Sequence, residues 1–340
     1  MRTVSNPANR FLSEQYEADD ELSRATIRVH EERAKTILSE NSSPDLPFRW
    51  SLNPYRGCFH ACAYCYARPT HEYWGYGAGT DFESQLIVKV NAPELLRNTF
   101  EKPSWTGDLV VFSGNTDCYQ PLEASWELTR TCLKICRDYK NPVGIITKSS
   151  LIKRDVELLQ QLRDVAWIRV YLSIPFATDE IARKVEPQAP SITKRFEALA
   201  YLSQNGIPTA VSLAPIIPGL NEQDIPQILR RARDSGAEAA TYSLLRLNDT
   251  VEPVFFERMS RQFPERIRKI NNRLRETRNH QVSEKRYFAR HKGDGPTWQM
   301  IEHLFQLSYR TMGYHLQPDS PVLKTFQRPS PRQINLFPDE

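Results

Sequence analysis

The sequence lacks any apolar run approaching the roughly 20 residues that cross a bilayer. Its purely aliphatic or aromatic stretches are short, such as Leu109 to Phe112. The opening residues, MRTVSNPANRFLSEQYEADDELSR, lack the apolar centre of a secretory signal. The expectation is a cytoplasmic protein with no membrane span. The 13 Gly and 24 Pro follow no G-x-y period, which excludes a collagen-like chain. No G-x-G-x-x-G follows the first strand-like segment, which argues against a dinucleotide-binding fold. Internal repeats are absent. Six cysteines among 340 residues do not make a disulfide scaffold. Neither sign of charge dominates, with 45 basic against 41 acidic residues. What remains is an ordinary folded composition, 40% hydrophobic and 25% charged. The length suits one large domain or two modest ones.

The charge is unevenly placed. Between Arg258 and Lys292 twelve Lys or Arg stand against three Glu, so the rest of the chain is net acidic. Such a segment reads either as a solvated helical face or as a surface for polyanions, because clustered basic charge attracts phosphates and releases counterions.

Residues 1 to about 45 read as a polar arm with an acidic patch at Asp19, Asp20 and Glu21, and Leu22 to Leu38 as a candidate helix. Residues 46–250 alternate strand-like and helix-like runs. The strand candidates are Trp50–Asn53, Leu109–Ser113, Val143–Thr147, Ile168–Ser173, Thr209–Leu213 and Ala239–Leu244. Each is short, and several are β-branched, as buried parallel strands tend to be. Between them, Ala124–Tyr139 sets Leu128, Cys132, Ile135 and Tyr139 on one helical face. Lys153–Leu162, Ile192–Leu202 and Ile225–Arg233 behave likewise, and Asn205-Gly206 supplies a helix stop. Six strands separated by helices imply an α/β fold of repeated βαβ units. Periodicity does not choose between a barrel and an open, doubly wound sheet. Residues 251–316 read as a basic helical extension, with helices at Val254–Phe263, Pro264–Asn279 and Thr297–Met312. Residues 317–340 hold five prolines and read as an extended tail.

The strongest signal is Gly57-Cys58-Phe-His-Ala-Cys62-Ala-Tyr64-Cys65-Tyr66, directly after the first strand candidate. Three thiolates at this spacing wrap one face of a compact metal centre. A structural zinc needs four ligands, and His60 or His71 would have to complete the set. A four-iron cluster normally uses four cysteines. Three thiolates leave one iron free to chelate a substrate or cofactor.

Cys58-x-x-x-Cys62-x-Tyr64-Cys65 resembles the signature of the radical S-adenosylmethionine (SAM) superfamily. Further motifs at successive strand ends resemble its spore photoproduct lyase-like group. They are Asn53-Pro-Tyr-Arg-Gly-Cys58, Ser113-Gly-Asn-Thr116-Asp117, Ile146-Thr147-Lys148-Ser149, Ser173, and Pro215-Ile-Ile217-Pro-Gly219-Leu-Asn-Glu222. The resemblance implies a partial (β/α)6 TIM-type barrel with a C-terminal helical extension. It also implies a [4Fe–4S] cluster on Cys58, Cys62 and Cys65, and reductive cleavage of SAM to a 5′-deoxyadenosyl radical. By the same resemblance Tyr64 contacts adenine, and Thr116 and Asp117 meet the SAM amino group. Lys148 meets the carboxylate, Ser173 the ribose and Ile217 the adenine wall, and Tyr66 is counted with these cofactor-binding residues. Pro215 stands where the adenine motif has its first Gly. Strand C-termini are where a βα barrel carries its active site.

The resemblance implies a DNA-repair lyase reaction on damaged DNA. The alternatives are a radical SAM enzyme modifying RNA or protein, and a cluster-bearing adaptor without catalysis. The lyase returns a hydrogen atom from a cysteine near the second strand. The matching place here, about Gly114, holds none, so the nearest thiol, Cys118, is the candidate hydrogen donor. The basic helix with Arg286, Arg290, His291 and Lys292 could grip a phosphodiester chain. Tyr287, Phe288 and Trp298 could stack bases, or pack helices onto the barrel. In the tail, Gln333-Ile-Asn-Leu336-Phe337 resembles the short peptide by which bacterial repair proteins bind the sliding clamp. An electron donor of flavodoxin or ferredoxin type is a further implied partner.

Overall fold

The computed structural model describes residues 26–247, 250–284, 286–314 and 324–329. In chain order the strands are β1 (Arg28–Glu32), β2 (Leu38–Glu40), β3 (Trp50–Leu52), β4 (Tyr55–Arg56), β5 (Gln85–Lys89), β6 (Val110–Phe112), β7 (Val143–Thr147), β8 (Ile168–Ser173), β9 (Thr209–Ile216) and β10 (Ala239–Leu244). Seven of them form one sheet in the order β10-β9-β8-β7-β6-β3-β2. Strands β3, β6, β7, β8, β9 and β10 run parallel, and β2 lies antiparallel to β3 at the edge. Among the described residues no ladder joins β10 back to β2 or β3, so the sheet is a partial (β/α)6 barrel and not a closed one. All six strands expected from the sequence are present. Val110, Val111 and Phe112 are wholly buried, and in β8 Ile168, Val170 and Leu172 alternate with partly exposed Arg169 and Tyr171.

The helices are α1 (Asp81–Ser84), α2 (Ala92–Glu101), α3 (Glu123–Trp126), α4 (Leu128–Asp138), α5 (Val156–Val165), α6 (Asp179–Val185), α7 (Ile192–Gln204), α8 (Ile225–Asp234), α9 (Val251–Gln262), α10 (Ile267–Glu276) and α11 (Gly295–Thr311). The single helix expected over 124–139 is broken at Glu127, whose φ is 48°. Glu123 explains the break: its carboxylate turns back to accept the Thr129 and Arg130 N–H groups at 2.9 and 3.0 Å. A carboxylate there caps the free N-terminus of α4. The C-terminal helices cover the β10 side, where Trp298 and Phe305 lie against Tyr242. Trp298 is therefore a packing residue, not a stacking platform.

Two segments differ from expectation. Within 22–38, the residues Arg28–Glu32 form a strand, not a helix, because they find a parallel partner in the buried strand β5. In the tail, residues 324–329 are tied down. Arg328 Nε donates to the Phe100 carbonyl at 3.0 Å and Nη2 to that of Trp105 at 3.2 Å. Phe326 packs edge-on against Phe100 and stacks with Tyr139. A guanidinium among the free carbonyls at the end of α2 is favourably placed in the helix dipole. These contacts lie below the N-terminal ends of β6 and β7. Phe326→Ala is expected to cost on the order of 2 kcal/mol, less than the about 3–5 of a fully buried Phe. A lowered Tm with unchanged iron content would show it; an unchanged Tm would mean that the segment does not hold the helices. The peptide Gln333–Phe337 lies outside the described residues.

Candidate active site

The cysteine loop leaves β4 at the C-terminal ends of the parallel strands. Gly57 turns it with φ +70°, and a Cβ there would stand 2.8 Å from the Phe82 carbonyl oxygen, so only glycine fits. The Cys58 N–H then donates to that same carbonyl at 3.0 Å. Gln120 clamps the loop from the other side, accepting from Phe59 N and donating to the Gly57 carbonyl, both at 3.1 Å. Arg68, fully buried, donates to the Cys62 carbonyl through Nε and Nη2 at 3.1 and 2.9 Å. Arg258 of α9 donates to the Ala61 carbonyl at 2.7 Å, and Glu83 pairs with both arginines, at 3.0 and 2.5 Å. The loop backbone is thus fixed by groups far apart in sequence.

Cys58 and Cys62 are buried and Cys65 partly so. Burial pushes all three thiols up, Cys58 to about 12. They are poor ligands as thiols and become good ones when a metal supplies the opposing charge. Among the described residues no three His, Cys, Asp or Glu converge on one ion position. A zinc site requires that convergence. The two histidines considered for one lie apart from such a set: His71 Nε2 is 2.8 Å from the Gln85 carbonyl, and His60 Nδ1 is 3.5 Å from Asp117. A four-iron cluster instead takes each thiolate on a different iron. The donor set fits that group, with one iron left over.

Beside the loop lies a buried charged network that the sequence reading missed. Arg195 of α7 donates to both the Ser173 carbonyl at the end of β8, at 3.0 Å, and Glu186, at 2.5 Å. Glu186 also accepts the Tyr64 hydroxyl. Lys148 Nζ stands 3.9 Å from Glu186 and 5.7 Å from the centre of the Tyr64 ring. Burial opposes charge on Lys148, but nearby acidic groups, Glu186 foremost among the carboxylates, outweigh it and hold its pKa above the ordinary value. A cationic Lys148 therefore sits between the cluster loop and the end of β7.

Asp117 is a strut more than an open acceptor. It takes the Thr147 hydroxyl at 2.6 Å, Tyr119 N at 2.9 Å and Lys148 N at 2.8 Å, joining the ends of β6 and β7. Thr116 Oγ1 donates to the Tyr55 carbonyl and accepts from Asn53. Ile217 is 0% exposed. Its turn is realised by Asn221, which accepts the Ile217 N–H at 2.6 Å, and by Glu222, which accepts that of Gly219 at 2.9 Å. Tyr66 is half exposed and its hydroxyl donates to the Gly114 carbonyl at 2.8 Å. Cys118 is 0% exposed, its Sγ 3.5 Å from the Ser113 hydroxyl, and burial holds its thiol well above the ordinary value. Cys132 and Cys136 are core residues of α4. The structure thus gathers Tyr64, Asp117 and Lys148 about the loop and puts Ile217 and Cys118 in the core behind it.

The profile of the radical SAM superfamily matches residues 52–232. An uncharacterized protein of Mycobacterium tuberculosis is 33% identical over 244 residues, covering 71% of this chain and 72% of its own. A Pseudomonas phage M6 protein named radical SAM Nalpha-GlyT isomerase is 26% identical, over 63% of this chain and 43% of its own. Among solved structures, spore photoproduct lyase complexed with dinucleoside spore photoproduct aligns with TM-score 0.58 and 14% identity, covering 84% of this chain and 79% of the other.

Proposed function

This chain belongs to the radical SAM superfamily, and from that premise we propose that it is an enzyme that alters a nucleic acid, in a reaction of the spore photoproduct lyase type. Like its superfamily it uses a [4Fe–4S] cluster and SAM. When bound, that pair supplies a 5′-deoxyadenosyl radical able to abstract a hydrogen atom.

The observation that carries the reading is the three-thiol loop at the strand C-termini, facing a buried lysine. In this reading Cys58, Cys62 and Cys65 hold the cluster. Lys148 meets the SAM carboxylate by a charge-assisted hydrogen bond. Tyr64, its hydroxyl fixed by Glu186, would contact adenine. Asp117 keeps the ends of β6 and β7 together and would meet the amino group of bound SAM. Arg195 fixes the end of β8 so that Ser173 reaches the ribose. Tyr66, half exposed with its hydroxyl on the Gly114 carbonyl, would complete the cofactor-binding residues. A partner of flavodoxin or ferredoxin type supplies the electron. The name of the phage relative, an isomerase, supports a rearrangement of a base as readily as a cleavage.

Anaerobically reconstituted protein with dithionite and SAM is expected to release 5′-deoxyadenosine. With ultraviolet-damaged DNA carrying deuterium at the thymine methyl groups, deuterium is expected in that product. A fully loaded cluster that releases none would make the chain a non-catalytic adaptor. Product without deuterium would remove damaged DNA as the substrate.

A further inference from the structure

Outside the site just described, several buried guanidinium nitrogens without hydrogen-bond partners lie where the chain leaves β10. Arg278 is 6% exposed. Its Nη2 donates to the carbonyls of Leu245, at 2.8 Å, and Arg290, at 3.1 Å, while Nε and Nη1 are buried without a partner. Arg246 follows directly on Leu245, and its Nε is also buried and unpartnered. It forms no ion pair among the described residues and lies close enough to Tyr66 to act on its phenol. Arg290 places Nε and Nη2 on the two oxygens of Asp45, at 2.7 and 2.6 Å. His291, whose carbonyl accepts the Leu244 N–H at 3.0 Å, has Nε2 3.8 Å from Asp45 and no hydrogen bond there. Four guanidiniums, of Arg246, Arg278, Arg286 and Arg290, and an imidazole therefore stand against two carboxylates. Asp45 is taken up by Arg290, and Glu284 is engaged by Arg286 at 2.8 Å.

A buried guanidinium with open N–H groups is costly and calls for an anion. Burial draws Arg278 down to about 10, with the Glu284 carboxylate opposing the shift. The flat fork of an arginine matches two oxygens of a phosphate.

We propose that Arg246 and Arg278, backed by Arg290 and His291, form a subsite for one phosphodiester group of a nucleic acid. This rests on the nucleic-acid reading above and names the contact that seats the strand beside Tyr66. The neighbouring side chains favour a polynucleotide over a small anion. Tyr287 is 51% and Phe288 60% exposed on the same segment, with the Arg290 guanidinium 5.0 Å from the centre of the Tyr287 ring. Exposed aromatics interleaved with basic side chains are stacking platforms for bases. Exposed Arg268, Lys269 and Arg275 on α10 extend the positive surface.

The test is fluorescence anisotropy of cluster-loaded protein with a labelled single-stranded DNA, across a salt series. Arg246→Gln is expected to weaken binding about tenfold and to lower the log–log salt slope by about one. Arg246→Lys should recover part of both. Phe288→Ala should weaken binding with the slope unchanged. Wild-type melting and cluster absorbance identify folded variants, and Arg246 is preferred to the buried Arg278 for that reason. If wild type binds DNA and Arg246→Gln binds equally well, the subsite is wrong while the nucleic-acid reading stands. If Arg246→Gln instead loses affinity for SAM alone, the arginines serve the SAM carboxylate and the proposal falls. If wild type binds no DNA, both readings fall.

Discussion

Cys62→Ala is expected to abolish the iron cluster and to reduce 5′-deoxyadenosine formation more than about a hundredfold, beyond what loss of a mere outer partner of a ligand costs. The fold should survive. The loop at this residue is held through its backbone, by Arg68 on the Cys62 carbonyl, and alanine keeps that carbonyl. The thiol itself is buried and uncharged without metal, so its removal leaves no broken ion pair. Iron analysis and the cluster absorbance near about 400 nm read the loss, and Tm reads the fold. Cys132→Ala is the control, since Cys132 is a core residue of α4. That variant should keep its iron and lose only packing. A Cys62→Ala protein with full iron and full product would mean that the loop does not carry the cluster.

The contrast between these two cysteines marks what was legible beforehand. Cys58, Cys62 and Cys65 carry a spacing, and six apolar runs carry a β signal because strands covered on both faces need continuous apolar residues. Strand β1 carries neither. Its residues, RVHEE, are largely exposed, and only the ladder with β5 makes them a strand. The break at Glu127 was hidden because the periodicity of 124–139 continues across it; the capping role of Glu123 depends on tertiary folding. The same holds for the groups that build the site. Arg258 reaches the Ala61 carbonyl from 197 residues away, and Glu186, Arg195 and Glu83 are single charges in a chain where a quarter of residues are charged. No local pattern distinguishes them from surface charges. A hint existed only in their company: α7 buries Arg195 on the same face as Phe196, Leu199 and Leu202, and a basic residue on an apolar helix face is expected to have a buried partner.

That partner gives the second large effect. Arg195→Met is expected to destabilise the protein by about 3–5 kcal/mol, because Glu186 is left as a buried charge without its nearest cation. Glu186→Gln should cost less, since an amide keeps the shape and can still accept the Tyr64 hydroxyl. The pair Glu186→Leu with Arg195→Met should recover much of the loss, as removing both charges leaves no orphan. Denaturant unfolding of wild type, Glu186→Leu, Arg195→Met and the double variant closes the cycle. Purely additive losses would show that the two side chains are not coupled, against their 2.5 Å contact. Acid gives an independent readout. Burial opposes charge on Glu186, but Arg195 and Lys148 prevail and hold it below the ordinary carboxylate value. Its stabilisation is therefore complete above that ordinary value and disappears as pH falls through the lowered one. Wild type should lose stability over that acid interval, and Glu186→Gln should not lose that increment. Because the same carboxylate fixes Tyr64 and faces Lys148, folded Glu186→Gln protein should also bind SAM more weakly. A variant stable to acid but with wild-type SAM affinity would confine the pair to a structural role.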